Sequence, residues 1–252
     1  MNNIYTLYND DCFSVMEQLI AQGTKINCII ADVPYNINYA EWDKTFNTHK
    51  AIELSYNLLT DNGNFLLFQG WSNVADTVNF VQNDTDFCLQ NWIVYDRIKG
   101  RGAKHNFTST REDILWLTKS KEYTFNKIYS NIPKKSGLSF LKSNGQKNRS
   151  LSNVWYDITP IVPWSKERNG HPTQKPEQLM ERCVTIFSNP GDTVLDFCMG
   201  SGTTGVAALK LERKFIGIEK NKQWFDVSKE RIESLCLTLK TSMALELDCS
   251  TE

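Results

Sequence analysis

Residues 193–205 read TVLDFCMGSGTTG, and this stretch decides the fold. Thr193–Phe197 is a short apolar run typical of a buried strand, and Thr204–Leu211, after the glycine-rich turn, has the pattern of a helix. Lys214–Glu219 (KFIGIE) is a second apolar run that follows this helix directly. A strand, a helix and a further strand in this order predict two neighbouring parallel strands.

The same alternation extends through the rest of the chain. Further strands are predicted at Ile26–Ala31, Asn64–Phe68, Trp92–Tyr95 and Ile114–Thr118, and further helices at Ala51–Leu59, Trp71–Gln82, Pro176–Ser188 and Gln223–Leu239. We therefore expect an α/β fold with a doubly wound, mostly parallel, Rossmann-like sheet in one domain over residues 1–240. Residues 119–153 lose periodicity and predict an insertion, and residues 241–252 predict a frayed tail.

The glycine-rich turn has the properties of a nucleoside-cofactor site. Gly200 and Gly202 let the backbone approach a ligand where a Cβ would clash, and the helix that follows offers free N–H groups to an anionic group. Glu219 ends the next predicted strand, where a carboxylate can accept hydrogen bonds from both ribose hydroxyls. The alternative to a cofactor site is that these glycines only allow the helix to pack closely against the strand.

A rival interpretation is a dinucleotide oxidoreductase, since residues 200–205 fit the pattern G-x-G-x-x-G. Two features disfavour it. Phe197–Met199 separate Asp196 from Gly200, which makes a longer loop than the tight dinucleotide turn. The stretch after Glu219 is also too short for a second nucleotide-binding half.

A second candidate site is Asp32-Val33-Pro34-Tyr35, directly after the apolar run Ile26–Ala31. Open α/β sheets bind ligands at this end of their strands. An exocyclic amino group of a base is a poor nucleophile, and two acceptors, such as the Asp32 carboxylate and the Val33 carbonyl, can direct its lone pair. Tyr35 offers a ring for a flipped base. In isolation, these four residues are better explained by a proline that ends a strand.

Positive charge is concentrated in the middle of the chain. The net charge is −1, yet residues 96–150 hold thirteen Lys and Arg against four Asp and Glu. A basic block in an otherwise acidic protein indicates a surface for a polyanion, and a solvated loop is the alternative. The candidate nucleic-acid contacts are Lys99, Arg101, Lys104, Arg111, Lys134, Lys135 and Lys142.

The remaining composition excludes several classes of protein. The seven cysteines form no CxxC and are odd in number, which favours free thiols in a reducing cytoplasm. Three histidines without a His/Cys pair at ligand spacing make a metal site unexpected. No stretch has the length of a membrane span, and the polar N-terminus lacks a secretory signal.

Three blocks together resemble the amino-methyltransferases of DNA. DVPYNINYAEWD (32–43), HPTQKPEQLMER (171–182) and DFCMGSGTTGVAA (196–208) are similar to the D-P-P-Y, H-P-T-Q-K-P and D-P-F-x-G-S-G-T-T elements of that family. A catalytic element that precedes the cofactor element is the order of the bacterial β class. The resemblance runs from about Tyr5 to Leu235, and residues 119–153 fall where target recognition varies in the family.

The resemblance implies S-adenosylmethionine as cofactor and double-stranded DNA as substrate. It assigns catalysis to Asp32, Val33, Pro34 and Tyr35, and cofactor binding to Asp11, Asp32, Thr173, Lys175, Asp196, Cys198, Gly200, Ser201, Gly202, Thr203 and Glu219. Lys175, with Thr173, would bind the cofactor carboxylate. Asp at position 32 favours adenine N6 over cytosine N4, which is the nearest alternative. A weakly active or non-catalytic DNA-binding subunit is another alternative, and the family admits a homodimer and a cognate restriction endonuclease as partners, neither of which the sequence itself requires.

Two departures from the family pattern affect the expected site. Val33 replaces a proline, which costs rigidity but keeps the backbone carbonyl. Phe197-Cys198 replaces Pro-Phe, so an aromatic contact near the cofactor's adenine is displaced or lost. We expect Cys198 to serve packing rather than chemistry.

Overall fold

The structure is a computed structural model that describes residues 4–37, 45–101, 104–105, 107–133 and 148–249. Its strands are β1 (Tyr5–Tyr8), β2 (Ile26–Asp32), β3 (Leu59–Gln69), β4 (Cys88–Arg101), β5 (Ser109–Thr118), β6 (Tyr129–Pro133), β7 (Asn148–Ser150), β8 (Val154–Trp155), β9 (Thr193–Asp196) and β10 (Lys214–Ile218). Its helices are α1 (Cys12–Ala21), α2 (Thr48–Leu58), α3 (Val74–Asp84), α4 (Glu177–Phe187), α5 (Thr203–Lys210) and α6 (Lys222–Cys249).

Within these residues, eight strands form one sheet in the order β1-β10-β9-β2-β3-β5-β4-β8. All neighbouring strands in the part β1-β10-β9-β2-β3 of this order are parallel, and β4 is parallel to β8. The strand β5 is antiparallel to both of its neighbours, β3 and β4. The mostly parallel, Rossmann-like α/β sheet is thereby confirmed.

The strand order reverses between β2 and β9. From β2 the chain passes through α2 to β3 on one side, and from β9 it passes through α5 to β10 on the other. In register, Ile29 lies opposite Leu195, so the carboxyl ends of these two strands lie side by side. Such a switch point is where open α/β sheets bind their ligands.

Two apolar cores cover the two faces of the sheet. On one face Leu179 of α4, Ala207 of α5 and Ile232 of α6 are fully buried. On the other face Met16 of α1 and Ile52 of α2 are fully buried. Because helices cover both faces, β2 is apolar along most of its length, as its sequence predicts.

Several elements differ from the predicted ones. The strand β1 and the helix α1 were not predicted, and α6 continues past Lys240 to Cys249, where a frayed tail was expected. The strand β3 begins at Leu59 and includes Asp61–Gly63, ahead of the predicted strand Asn64–Phe68. Gly63 is required there because a Cβ would lie 2.8 Å from Leu59 Cγ and 2.9 Å from the Asn27 carbonyl oxygen.

The basic insertion at 119–153 contains local structure that its sequence did not indicate. Within it the strands β6 and β7 pair as a separate two-stranded antiparallel sheet, and β8, directly after the insertion, joins the edge of the main sheet. Among the described residues, no helix is both long enough and apolar enough to cross a membrane.

Candidate active site

The two sequence blocks at the ends of β2 and β9 meet in one cavity of about 620 Å³. Asp32 lies on its wall together with Gly200, Ser201 and Thr203 of the glycine-rich loop. Asp11, Thr173, Lys175, Asp196, Cys198 and Glu219 line the same cavity. Residues that are far apart in the sequence are therefore brought together at the switch point.

The glycine-rich loop is shaped by Asp196. Its Oδ1 accepts a hydrogen bond from the Cys198 amide (3.0 Å) and its Oδ2 accepts one from the Thr204 hydroxyl (2.6 Å). Burial raises the pKa of the Asp196 carboxyl to about 7, against the effect of these donors. Gly200 (φ +51°) and Gly202 (φ +78°) have left-handed backbones that other residues rarely adopt.

Glu219 lies across the loop and contacts it directly. Its Oε2 accepts a hydrogen bond from the Gly200 amide (2.9 Å) and its Oε1 accepts one from the Asn221 amide (2.7 Å). Burial raises the pKa of the Glu219 carboxyl above its ordinary value. Because each carboxylate oxygen has two acceptor positions, Glu219 retains capacity for the two hydroxyls of a ribose.

Asp11 caps the N-terminus of α1. Its side chain accepts hydrogen bonds from the Phe13 amide (3.0 Å) and the Ser14 amide (3.4 Å), and it forms an ion pair with Lys220 (3.2 Å). Burial acts to raise the pKa of this carboxyl, but Lys220 and the two amides lower it below its ordinary value. Asp11 therefore presents a negative charge at the cavity wall.

His171 was not assigned a role from the sequence, and it packs over the loop. A Cβ on Gly200 would lie 3.1 Å from His171 Nε2, and the imidazole contacts the Trp224 ring edge-on at 4.5 Å. The Thr173 amide donates to His171 Nδ1 (3.3 Å). Burial lowers the pKa of His171 to about 4, so the ring is neutral at physiological pH.

The tetrapeptide Asp32–Tyr35 begins at the end of β2 and is held by Lys175. Asp32 Oδ1 accepts a hydrogen bond from the Tyr35 hydroxyl (2.8 Å), and Asp32 Oδ2 accepts one from Lys175 Nζ. Burial, then the charges of Asp32 and Glu112, raise the pKa of Tyr35 well above its ordinary value. The family resemblance implies that Lys175 binds the cofactor carboxylate, whereas its ammonium here lies between two side-chain carboxylates.

The second of these carboxylates belongs to Glu112, which was not among the site residues predicted from the sequence. Lys175 Nζ lies 3.5 Å from Glu112 Oε2, and Arg97 Nη1 lies 3.5 Å from Glu112 Oε1. Burial alone would lower the pKa of the Lys175 ammonium, but Asp32 and Glu112 raise it, so the ammonium stays charged. The sequence feature that could have indicated Glu112 is its charge near the start of the otherwise apolar strand β5.

A second cavity of about 440 Å³ lies on the other side of this charge network. It is lined by Val33, Tyr35, Gly70, Arg97 and Glu112, among others. Asp32, Pro34, Thr173, Gln174 and Lys175 line both cavities. The Asp32–Lys175 pair therefore forms part of a wall with one cavity on each side.

The candidate DNA contacts have different environments. Lys104 is exposed, whereas Arg111 donates two hydrogen bonds to the buried Asp113 (3.1 and 2.6 Å) and lines the second cavity. Its ion pair with Asp113 leaves Arg111 less available to a phosphate. The side chains of Lys99 and Arg101, and all of Lys134, Lys135 and Lys142, lie outside the described residues.

The first cavity fits a nucleoside that carries an amino acid. Its volume lies in the range of small-molecule sites. A Cβ on Gly202 would lie 2.8 Å from Ser228 Cβ, so the backbone follows a path that glycine alone permits. Glu219 suits a ribose, and the acids Asp11 and Asp32 suit an ammonium or sulfonium cation.

Aromatic rings also line this cavity. Phe197 packs in the apolar core and also lines the cavity, and the next position, where the family pattern has Phe, is Cys198. Phe13 and Phe46 stack on each other at 5.3 Å between ring centres and both line the cavity. Cys198 lines it as well, as a thiol.

Comparisons with known proteins agree with this geometry. The sequence model of a family described as DNA methylase (N6_N4_Mtase) matches residues 26–230. The type II methyltransferase M.HpaI of Haemophilus parainfluenzae is 33% identical over 223 residues, 84% of this chain and 70% of that relative. The DNA adenine methyltransferase YhdJ of Escherichia coli (strain K12) is 31% identical over 250 residues, 92% of this chain and 84% of that relative. The crystal structure of the M1.HpyAVI–SAM complex is 28% identical with a TM-score of 0.66, and the match covers 90% of this chain and 99% of that one.

Proposed function

This chain belongs to the N6/N4 family of DNA amino-methyltransferases, and we propose that it methylates N6 of adenine in double-stranded DNA. S-adenosylmethionine is its cofactor, and when bound it supplies an electrophilic methyl group on a sulfonium sulfur. The observation that carries the proposal is the position of Asp32, which borders both the cofactor cavity and the second cavity. The second cavity is then the site of the flipped base.

The residues that hold the cofactor follow from the first cavity. Ser201 and Thr203 of the glycine-rich loop line the cavity at the start of α5, Glu219 binds the ribose hydroxyls, and Asp11 lies toward the amino-acid end. Thr173 is at the boundary with the second cavity, where it suits the amino-acid carboxylate. The Phe13–Phe46 pair offers the adenine ring an aromatic surface in place of the one that Cys198 lacks.

The tetrapeptide activates the amino group by orientation. The Asp32 carboxylate and the Val33 carbonyl accept the two N–H bonds, which aims the nitrogen lone pair toward the cofactor cavity. The Tyr35 hydroxyl and Lys175 Nζ already donate to Asp32, and each carboxylate oxygen keeps a second acceptor position. Their hydrogen bonds fix the carboxylate before the base arrives.

Two observations favour adenine over cytosine. Position 32 is Asp, which in this family favours adenine as the target base. The relative YhdJ is named a DNA adenine methyltransferase. N4-cytosine methylation is the second candidate, because the family model covers both reactions. A non-catalytic DNA-binding subunit of the same fold is the third candidate, and it would transfer no methyl group.

Further partners and the compartment are part of the proposal. We propose residues 119–153 as the target-recognition insertion, on the strength of their positive charge. A cognate endonuclease is consistent with type II relatives, and a homodimer stays a prediction. The cytoplasm is favoured by the free thiols of every cysteine whose side chain is described.

The test is product analysis. The protein is incubated with DNA and S-adenosylmethionine labelled in its methyl group, and the DNA is digested to nucleosides. Label in N6-methyladenine supports the proposal, and label in N4-methylcytosine supports the second candidate. Absence of label from both would contradict the proposed activity. Methylation-sensitive sequencing of the same DNA gives the recognition site.

A further inference from the structure

Trp71 occupies an unusual place at the rim of the second cavity. Its side chain is 67% exposed, yet it lines the cavity within reach of the Asp32–Tyr35 tetrapeptide. The apolar core behind it is closed by Val74, the first residue of α3, which is 3% exposed. Because Val74 completes the core, the exposed indole contributes little to folding.

The indole stands on a tight turn. The amides of Asn73 and Val74 both donate to the Gly70 carbonyl (3.1 Å each), so Trp71 and Ser72 form the tip of the turn. Such a turn displays a side chain with little backbone freedom. Trp71 is therefore presented at a fixed position rather than on a flexible loop.

The turn is also attached to the catalytic tetrapeptide. Asn73 Nδ2 donates to the Tyr35 carbonyl, and a Cβ on Gly70 would lie 3.0 Å from the Tyr35 ring. Gly70 thus allows the turn to pack closely against Tyr35. These contacts set the position of Trp71 relative to the residues that bind the amino group.

We propose that Trp71 stacks on the base that leaves the duplex to enter the second cavity, and so offsets the cost of extruding it. The inference rests on the proposed function, because it requires DNA as substrate. Extrusion costs a few kcal/mol of pairing and stacking, and an aromatic ring restores about 1–3 kcal/mol per stacked base. An exposed indole on a rigid turn at the cavity mouth is suited to this.

The test compares two duplexes that contain the recognition site. In one the target base is paired, and in the other it faces an abasic position, so that less energy is needed to extrude it. Single-turnover methylation is measured for the wild type, Trp71→Ala and Trp71→Phe. Leu237→Ala is the control, because Leu237 is equally exposed (67%) but lies on α6 and lines neither cavity.

Trp71→Ala is expected to lose about tenfold in rate on the paired duplex and less than about threefold on the abasic duplex. Trp71→Phe keeps a ring and should lie between the wild type and Trp71→Ala on the paired duplex. Equal losses on both duplexes, or no loss on either, would overturn the stacking role. A wild type that methylates neither duplex contradicts the proposed function itself. Cofactor affinity and thermal midpoint of Trp71→Ala should match the wild type, and a fall in either points to a structural role and overturns the proposal.

Discussion

Lys175 Nζ donates a hydrogen bond to Asp32 Oδ2, and this ion pair is part of the wall between the cofactor cavity and the second cavity. The Lys175 side chain is 9% exposed, and its ammonium also faces Glu112 at 3.5 Å. Lys175 therefore compensates Asp32 and, together with Arg97, Glu112 in a largely buried place. The stability of the site depends on that compensation.

We predict that Lys175→Met destabilises the protein by about 3 kcal/mol, because it leaves Asp32 and Glu112 facing each other without the ammonium. Urea unfolding at pH 7 measures the change. The double variant Lys175→Met/Glu112→Gln removes one of the two charges and should recover part of the loss. A single variant as stable as the wild type would show that Lys175 does not compensate these charges.

Asp196 gives a prediction about pH. Its folded pKa is about 7, whereas an ordinary Asp titrates near 3.8. Between about pH 4 and pH 7 the folded state thus binds a proton that the unfolded state has lost. Stability from this group is greatest at low pH and falls as pH rises through that range, by up to about 4 kcal/mol.

Asp196→Asn keeps an acceptor for the Cys198 amide and a hydrogen bond to Thr204, but it does not titrate. The stability of this variant relative to the wild type should rise from pH 4 to pH 7 and level off above pH 7. Denaturant unfolding at a series of pH values measures the difference. A difference that is constant with pH would show that Asp196 ionises normally.

Alanine variants of Gly202 and Gly191 distinguish the energetic cost of backbone strain from the cost of a steric clash. Both have positive φ, +78° and +85°, but a Cβ on Gly202 would lie 2.8 Å from Ser228 Cβ, whereas Gly191 has open space around it. Gly191→Ala should cost about 1–2 kcal/mol from strain alone. Gly202→Ala should cost more and should also weaken cofactor binding in calorimetric titration. Equal effects of the two variants would contradict the close approach at Gly202.

The basic insertion gives a prediction about DNA binding. Neutralising Lys134, Lys135 and Lys142 with Gln should weaken binding and reduce the slope of log K against log salt by about 0.9 for each lost phosphate contact. Lys229→Gln is the control, since Lys229 lies on α6 beside Glu233. Fluorescence anisotropy over a range of salt concentrations gives the slopes. An unchanged slope in the triple variant would mean that these lysines do not touch phosphate.

Much of the site could be predicted because it lies at the ends of neighbouring parallel strands. Asp32 and Gly200 follow apolar runs that the sequence displays clearly, and the carboxyl ends of such strands meet at one edge of the sheet. The parallel order of β9 and β10 likewise follows from the strand–helix–strand pattern.

The missed residues depend on contacts that local sequence does not encode. Glu112 reaches Lys175 only because β5 is inserted antiparallel between β3 and β4. His171 packs on Gly200 through an approach of two distant segments. The strand β1 was missed because it is four residues long and lies at the sheet edge, where apolar periodicity is weak.

The most direct test of the central claim is the single-turnover rate of methyl transfer in Asp32→Ala, measured beside the dissociation constant for S-adenosylmethionine. If Asp32 orients the amino group at the wall between the two cavities, transfer falls by about a hundredfold or more. Cofactor binding should remain measurable, because the glycine-rich loop and Glu219 are unchanged. A variant that transfers methyl groups at the wild-type rate would contradict the assignment of this site.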